Sequence, residues 1–390
     1  MKKIIFLFII FFLFILKINA LEIKSESAIL YNLNDNSVLY EKNSKDKVQI
    51  ASLTKIVTAI TVIENIEDLN KEVTITYEMI KGLNGYAKLG LKVGDKLSYL
   101  DLLYALMLPS AADAAKALAI STSGSIDEFS ILMNKQVEKI GVTNSKFDNP
   151  IGMDSESNYS TAYDLSQILI YSLKNNTFKE LFNSNSYKIK NLNKIVEKTV
   201  TTTGKKYNID TSIIKGAKTG FTYDAGLCLA SISTLEDVNY LLITLGSPIE
   251  YPYHIIDTID IYKYYSSNYG YINILSKKQL LNTIKVKNSK TKTYDIYSKD
   301  DISLYLSKTI NKENLIYEYE GIEELNKKIK IGDKLGKVKV ISDGDIIYTY
   351  DVYLDVEIKY YNYLLYIIVS LSIIILISIL IYVIKRVKNK

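Results

Sequence analysis

Ser52 and Lys55 stand three positions apart, at the head of an apolar run through Ile56, Ala59, Ile60 and Ile63 whose spacing predicts a helix. On a helix the two side chains share one face. A serine hydroxyl attacks well only when a neighbour takes its proton, and a lysine can do this only where its surroundings keep it partly neutral. The positive end of a helix dipole and burial in a cleft both act in that direction. The same spacing recurs at Ser44/Lys47 and Ser289/Lys292, in polar stretches that read as solvated surface. Ser52 differs in its apolar setting and in having two further pieces of the same chemistry downstream. Pro109 interrupts a helix-periodic stretch from Leu102 to Ile120, so Ser110 is expected at a turn between two helices, exposed by the break. Ser110 could also serve as the N-cap of the second helix, and the two roles are compatible. Ile213 to Thr222 reads as a strand carrying Gly216 and Gly220, and glycine inside a strand marks the close approach of a backbone or a ligand. Lys218, Thr219 and Gly220 are therefore expected along a cleft edge, where they offer a charge and a hydroxyl to an anionic group.

Composition removes other chemistries. The chain of 390 residues has one histidine, His254, and one cysteine, Cys228, so it can build neither a Ser-His-Asp triad nor a histidine zinc site, and no internal disulfide can form. No metal or cofactor is expected. The modest excess of 48 Lys and Arg over 43 Asp and Glu is spread along the chain, which reads as solvated surface and not as a nucleic-acid groove. Cys228 has no base or cation beside it in sequence and reads as a core residue.

The two ends place the rest. Lys2-Lys3, an apolar run from Ile4 to Leu16 and the small Ala20 read as a secretory signal over residues 1–20, the alternative being an uncleaved anchor. Residues 363–384 are almost wholly apolar and long enough to cross a bilayer. Tyr360, Tyr361, Tyr363 and Tyr366 sit where an aromatic belt lies, and the basic residues of the tail, 385–390, mark the cytoplasmic side. The expectation is a single-pass protein of the cell membrane with its catalytic part on the extracytoplasmic face.

Two strand-like runs at 28–31 and 38–41 flank an Asn-rich turn and predict a hairpin leading into the Ser52 helix. Residues 67–100 read as loops and short strands, 141–164 as loop, 164–182 as helix, 185–210 as strands, and 227–232 and 238–245 as further strands of the Lys218 sheet. A catalytic domain is expected over 21–265 and a small all-β domain over 275–358, with Asp343-Gly344 as a hairpin turn before a period-two alternation from Ile346 to Ile358. The β domain shows no catalytic cluster and reads as a spacer or binding module.

The order Ser52-x-x-Lys55, Ser110-Ala111-Ala112, Lys218-Thr219-Gly220 resembles the penicillin-recognising serine enzymes. With Ala51 to Ile56, Leu91 to Asp95, Leu106 to Ser110, Asn149-Pro150 before Gly152, and Lys218 to Thr222, the chain is similar to the low-molecular-mass D-alanyl-D-alanine carboxypeptidases over roughly residues 25–260. The resemblance implies an α/β (α+β) fold of the penicillin-binding and β-lactamase type, a sheet flanked by helices, followed by the β domain and the membrane helix. It implies that Ser52 attacks the bond between the terminal D-alanines of a peptidoglycan stem peptide, that Lys55 takes its proton, and that the N–H groups of Ser52 and Phe221 form the oxyanion hole. It further implies that Lys218 and Thr219, beside Gly220, hold the terminal carboxylate, that Ser110 relays a proton to the leaving D-alanine, and that β-lactams are covalent inhibitors. One position departs from the pattern: Ala112 stands where the family usually has asparagine, and Asp113 or a residue elsewhere is left to supply that contact. A β-lactamase or transpeptidase on the same fold, or a catalytically silent wall-binding protein, are the competing readings. The first is disfavoured by the lack of a Glu-x-x-x-Asn pair around 149–159, the last by the intact Ser52, Lys55 and Lys218.

Overall fold

β1 (Ser27–Asn32) and β2 (Ser37–Lys42) form the expected hairpin, and Asn36 takes a left-handed conformation in its turn. The computed structural model describes residues 21–388, so the expected signal at 1–20 and the last two residues of the tail lie outside the described residues. The chain divides into two units, one ending at Ser267 and the other beginning at Asn268.

In the first unit β1 continues into a five-stranded antiparallel sheet with β3 (Gly216–Thr222), β4 (Gly226–Leu235) and β5 (Val238–Ser247), in the order β2-β1-β5-β4-β3. The first strand of the chain thus pairs with the last of the sheet, Ile29 opposite Ile243, and β3 is an edge strand. Gly220 on β3 lies opposite Cys228, which is buried as expected, its thiol pushed up to about 12 chiefly by burial.

Against this sheet lies a helical layer organised around α1 (Thr54–Asn65), whose residues from Thr54 to Val62 are all buried. Ile56, Val57 and Ile60 share one core with Leu102 and Leu106 of α2 (Tyr99–Met107), Leu118 of α3 (Ala112–Ser123), Phe129 of α4 (Ile126–Ile140) and Leu165 of α5 (Ala162–Ser172). Each such side chain contributes about 1.5–3 kcal/mol by leaving water, so this layer holds α1 in place. Local signals set the ends. Ser98 and Asp101 cap α2 reciprocally, Ser98 Oγ accepting from Asp101 N at 3.0 Å, and Gly141 in the left-handed region closes α4.

Three stretches differ from the sequence reading. The helical stretch 164–182 is two helices, α5 and α6 (Asn176–Asn183), because the Asn175 side chain accepts from Phe178 N and starts a new one. Residues 185–210 hold a hairpin, Ser186–Ile189 with Lys194–Glu197, and then α7 (Thr199–Tyr207). The β-branched run of α7 disfavours a helix locally, and tertiary contacts override it. Buried Lys198 donates to the carbonyls of Lys215 at 2.8 Å and Asn183 at 3.2 Å, and Gly204 packs so closely that a methyl there would lie 2.6 Å from Thr211 Cγ2. α8 (Tyr253–Asn268) also comes after the sheet, where the sequence pattern pointed to no element.

The second unit is a small β structure with its own core, including Ile274, Ile284, Leu325, Val338 and Val340. Lys334–Ser342 and Asp345–Tyr353 form its hairpin, with Asp343 and Gly344 both in the left-handed region, as a two-residue turn requires. The second strand ends at Tyr353 and does not run to Ile358. Beyond it lies a helix from Tyr363 to Lys388, long and apolar enough to cross a membrane.

Candidate active site

Ser52 sits in a tight turn, Ala51–Leu53, that runs directly into α1, with Ala51 in the left-handed region at φ +47°. Lys55 lies in the first turn of α1, fully buried, and its Nζ donates to Ser52 Oγ at 2.7 Å. The second acceptor of that amine is the carbonyl of Ile151, at 2.6 Å. This carbonyl is presented by a local device: Asn149 Oδ1 accepts from the N–H groups of Ile151, Gly152 and Met153, curling the loop over the start of α1. Thr58 Oγ1 fastens the same loop by donating to Pro150 O at 2.8 Å. Burial lowers the Lys55 pKa to about 7, so a large fraction of the amine is neutral near neutral pH and can accept the Ser52 proton across the same 2.7 Å contact.

Ser110 occupies the turn between α2 and α3 at φ +65°. The break was expected to expose it; instead the residue is 9% exposed. Nor does it cap α3, whose N-cap is Ala111. Its hydroxyl accepts from Lys218 Nζ at 2.8 Å, while Lys218 also donates to Thr219 O at 2.9 Å. Lys218 is buried behind the cleft wall, and burial, then the nearby Lys55, hold its pKa well below the usual lysine value. The expected cleft-edge cation is thus turned inward.

Asp113 does not replace the missing amide. Its buried carboxylate accepts from the N–H groups of Leu89 at 2.9 Å, Gly90 at 2.8 Å, Leu91 at 3.0 Å and Ala114 at 3.0 Å, which commits it to the loop before α2. Ala112 itself faces the cleft, its N–H fixed to Ala87 O at 2.8 Å.

These groups meet in a cleft of about 390 Å³ lined by Ser52, Lys55, Ser110, Ala112, Thr219, Gly220 and Phe221. Gly220 explains how close its two sides come: a methyl there would lie 3.0 Å from Ile50 O and 3.2 Å from Ser52 N, so the β3 backbone runs directly beside the nucleophile's turn. Phe221 is 47% exposed at the lip. Two further stretches of the wall are not indicated by the sequence. Thr203, Lys206 and Tyr207 come from α7, Ile249 and Tyr251 from the segment entering α8, and His254 from the first turn of α8. The one usable signal was the rarity of histidine. Among the described residues no cluster of His, Cys, Asp and Glu is placed to hold a metal.

A hydroxyl held by a neutral-leaning buried amine, beside a second serine on a second lysine, is built for acyl transfer. Residues 16–248 match the family described as D-alanyl-D-alanine carboxypeptidase, and residues 269–360 match the penicillin-binding protein 5 C-terminal domain. D-alanyl-D-alanine carboxypeptidase DacF of Bacillus subtilis is 26% identical over 340 residues, covering 83% of each chain. A Streptomyces D-alanyl-D-alanine carboxypeptidase is 34% identical over 224 residues, 52% of this chain and 74% of that one. The fold is shared with the crystal structure of carboxypeptidase DacD from Francisella tularensis, with a TM-score of 0.67 at 20% identity over 87% of this chain and 95% of that one. The chain belongs to the D-alanyl-D-alanine carboxypeptidase family of serine peptidases.

Proposed function

We propose that this chain removes the terminal D-alanine from peptidoglycan stem peptides through an acyl-enzyme on Ser52, and that β-lactams acylate the same hydroxyl. The observation that carries this reading is the 2.7 Å contact between Ser52 Oγ and the amine of buried Lys55. In the first half-reaction the Ser52 proton passes to Lys55 as Oγ bonds to the scissile carbonyl carbon. The negative charge moves onto the carbonyl oxygen, where the N–H groups of Ser52 and Phe221 would receive it. Gly220 supports this pairing, since it carries the β3 backbone past Ser52 N. Collapse of the tetrahedral species breaks the C–N bond, and the leaving amine takes its proton through Ser110. That proton is the one Lys55 took from Ser52; in the second half-reaction water adds to the ester as Lys55 takes its proton, and when the ester C–O bond breaks Lys55 returns that proton to Ser52 Oγ.

Lys218 acts behind the cleft in this reading. By donating to Ser110 Oγ and Thr219 O it leaves the Ser110 hydroxyl proton free to point at the leaving amine and fixes the strand that carries Thr219. Thr219 lines the cleft and offers its hydroxyl to the substrate carboxylate. In this reading the C-terminal helix is a membrane anchor, and the basic residues Lys385, Arg386, Lys388 and Lys390 at its end support a cytoplasmic tail with the catalytic unit on the other side. Full-length protein in detergent should release D-alanine from an N-acylated tripeptide ending in D-Ala-D-Ala, and Ser52→Ala should reduce release to background. Release by Ser52→Ala at the wild-type rate would contradict the assignment.

A further inference from the structure

A peptide ending in a free carboxylate brings a full negative charge into the cleft, yet neither lysine of the motifs is placed to meet it as a free cation. Lys55 is engaged by Ser52 and Ile151, and Lys218 is buried and spent on Ser110 and Thr219. Arginine, the side chain best matched to a carboxylate, is not available either: the chain has a single arginine, Arg386, in the C-terminal helix. Any cation that reads the substrate's end must be another lysine.

The α7 wall of the same cleft supplies one. Lys206 on α7 lines the cleft, is exposed, and has no carboxylate partner among the described residues, none of which brings an Asp or Glu to the cleft lining. Its ammonium lies 5.2 Å from the centre of the Tyr207 ring, and that ring meets Tyr251 edge-on with centroids 5.2 Å apart. The aromatic contact joins α7 to the segment that carries His254, so both residues belong to one wall. His254 is 4% exposed, lines the same cleft, and its Nδ1 is buried with no hydrogen-bond partner among the described residues. An orphaned buried ring nitrogen costs free energy unless something answers it. Burial holds the imidazole pKa down to about 4, so the ring is neutral and carries one N–H to donate.

We propose that Lys206 and His254 form the receptor for the substrate's terminal carboxylate, Lys206 supplying the charge and His254 a neutral N–H donor, with Thr219 completing it. This rests on the carboxypeptidase reading and adds the residues that set its preference for a free C-terminus. Selectivity then comes from the α7 and α8 wall and not from the Lys218 motif alone.

The test compares an N-acyl tripeptide ending in D-Ala-D-Ala with the same peptide ending in a carboxamide, using full-length protein in detergent. Wild type should favour the acid over the amide in kcat/KM by at least about thirtyfold, a charged pair's worth of discrimination. Lys206→Met should bring that ratio to within about threefold of unity, mainly by raising KM for the acid, and Lys206→Arg should restore it. His254→Phe should lower the ratio about fivefold while leaving the melting temperature equal or higher, because it removes an orphaned nitrogen. A wild-type ratio in Lys206→Met overturns the proposal, and a wild-type ratio in His254→Phe removes the imidazole from the receptor. Failure of wild type to cleave either peptide would be a different result: it would bring down the carboxypeptidase reading and this receptor with it.

Discussion

Gly152 and Ala51 approach so closely that a methyl on Gly152 would fall 1.9 Å from the Ala51 carbonyl oxygen. Gly152 also holds φ at +85°, a conformation that side chains resist. One residue therefore fixes the loop that presents Ile151 O to Lys55 and braces the turn that carries Ser52. Gly152→Ala must displace one or the other, and a misplacement near 1 Å costs about a hundredfold in rate. Acylation by a chromogenic β-lactam should fall by that order in Gly152→Ala, in a protein that still melts cooperatively. A rate within threefold of wild type would show that the loop does not position the pair.

The lowered Lys55 pKa gives the acylation rate a pH dependence of known sign. The neutral amine is the active form, so the rate should fall about tenfold per unit below pH 7 and level off above it. Stability moves the same way. Between about 7 and the ordinary lysine value of 10.5 the unfolded chain holds a proton on Lys55 that the folded chain has lost, so unfolding takes up protons and stability rises with pH across this window. Buried Lys218 shifts in the same direction and adds to the effect. An acylation profile flat from pH 5 to 8 would argue against Lys55 as the base.

Ala112 leaves the cleft without the amide that the family usually places there, and Asp113 is fully committed to the Leu89–Leu91 backbone. Ala112→Asn should raise the acylation rate, by at most about a hundredfold, one good hydrogen bond's worth. Stopped-flow acylation measures it directly. An unchanged or slower rate in a variant with a normal melt would mean that the site lacks nothing at this position.

The C-terminal helix makes a separate prediction. A chain ending before Tyr363 should leave the membrane fraction after cell lysis and sedimentation, since the segment from Tyr363 to Lys388 is the one long apolar helix among the described residues. Retention of the shortened chain would place an anchor elsewhere.

Legibility in the sequence tracks physical range. Ser52 and Lys55 are one helix turn apart, so local periodicity was enough to pair them. The Pro109 break, the Asp343-Gly344 turn and the C-terminal helix are likewise local. The inward turn of Lys218 was not legible, because it depends on Ser110, 108 residues away. α7 is hidden by its β-branched composition: residues 199–203 prefer strands by themselves, and tertiary anchors such as Lys198, the Thr199 bonds to Leu108 O and the packing of Gly204 make them helical. His254 looked like a mere exclusion, a lone histidine unable to build a triad, until the fold brought it to the cleft.

The covalent intermediate is the most direct test of the whole account. Full-length protein exposed briefly to benzylpenicillin, quenched, digested and mapped by mass spectrometry should carry the penicilloyl mass on the peptide containing Ser52, and Ser52→Ala should carry none. An adduct on any other residue, or an equal adduct in Ser52→Ala, would contradict the assignment of Ser52 as the nucleophile.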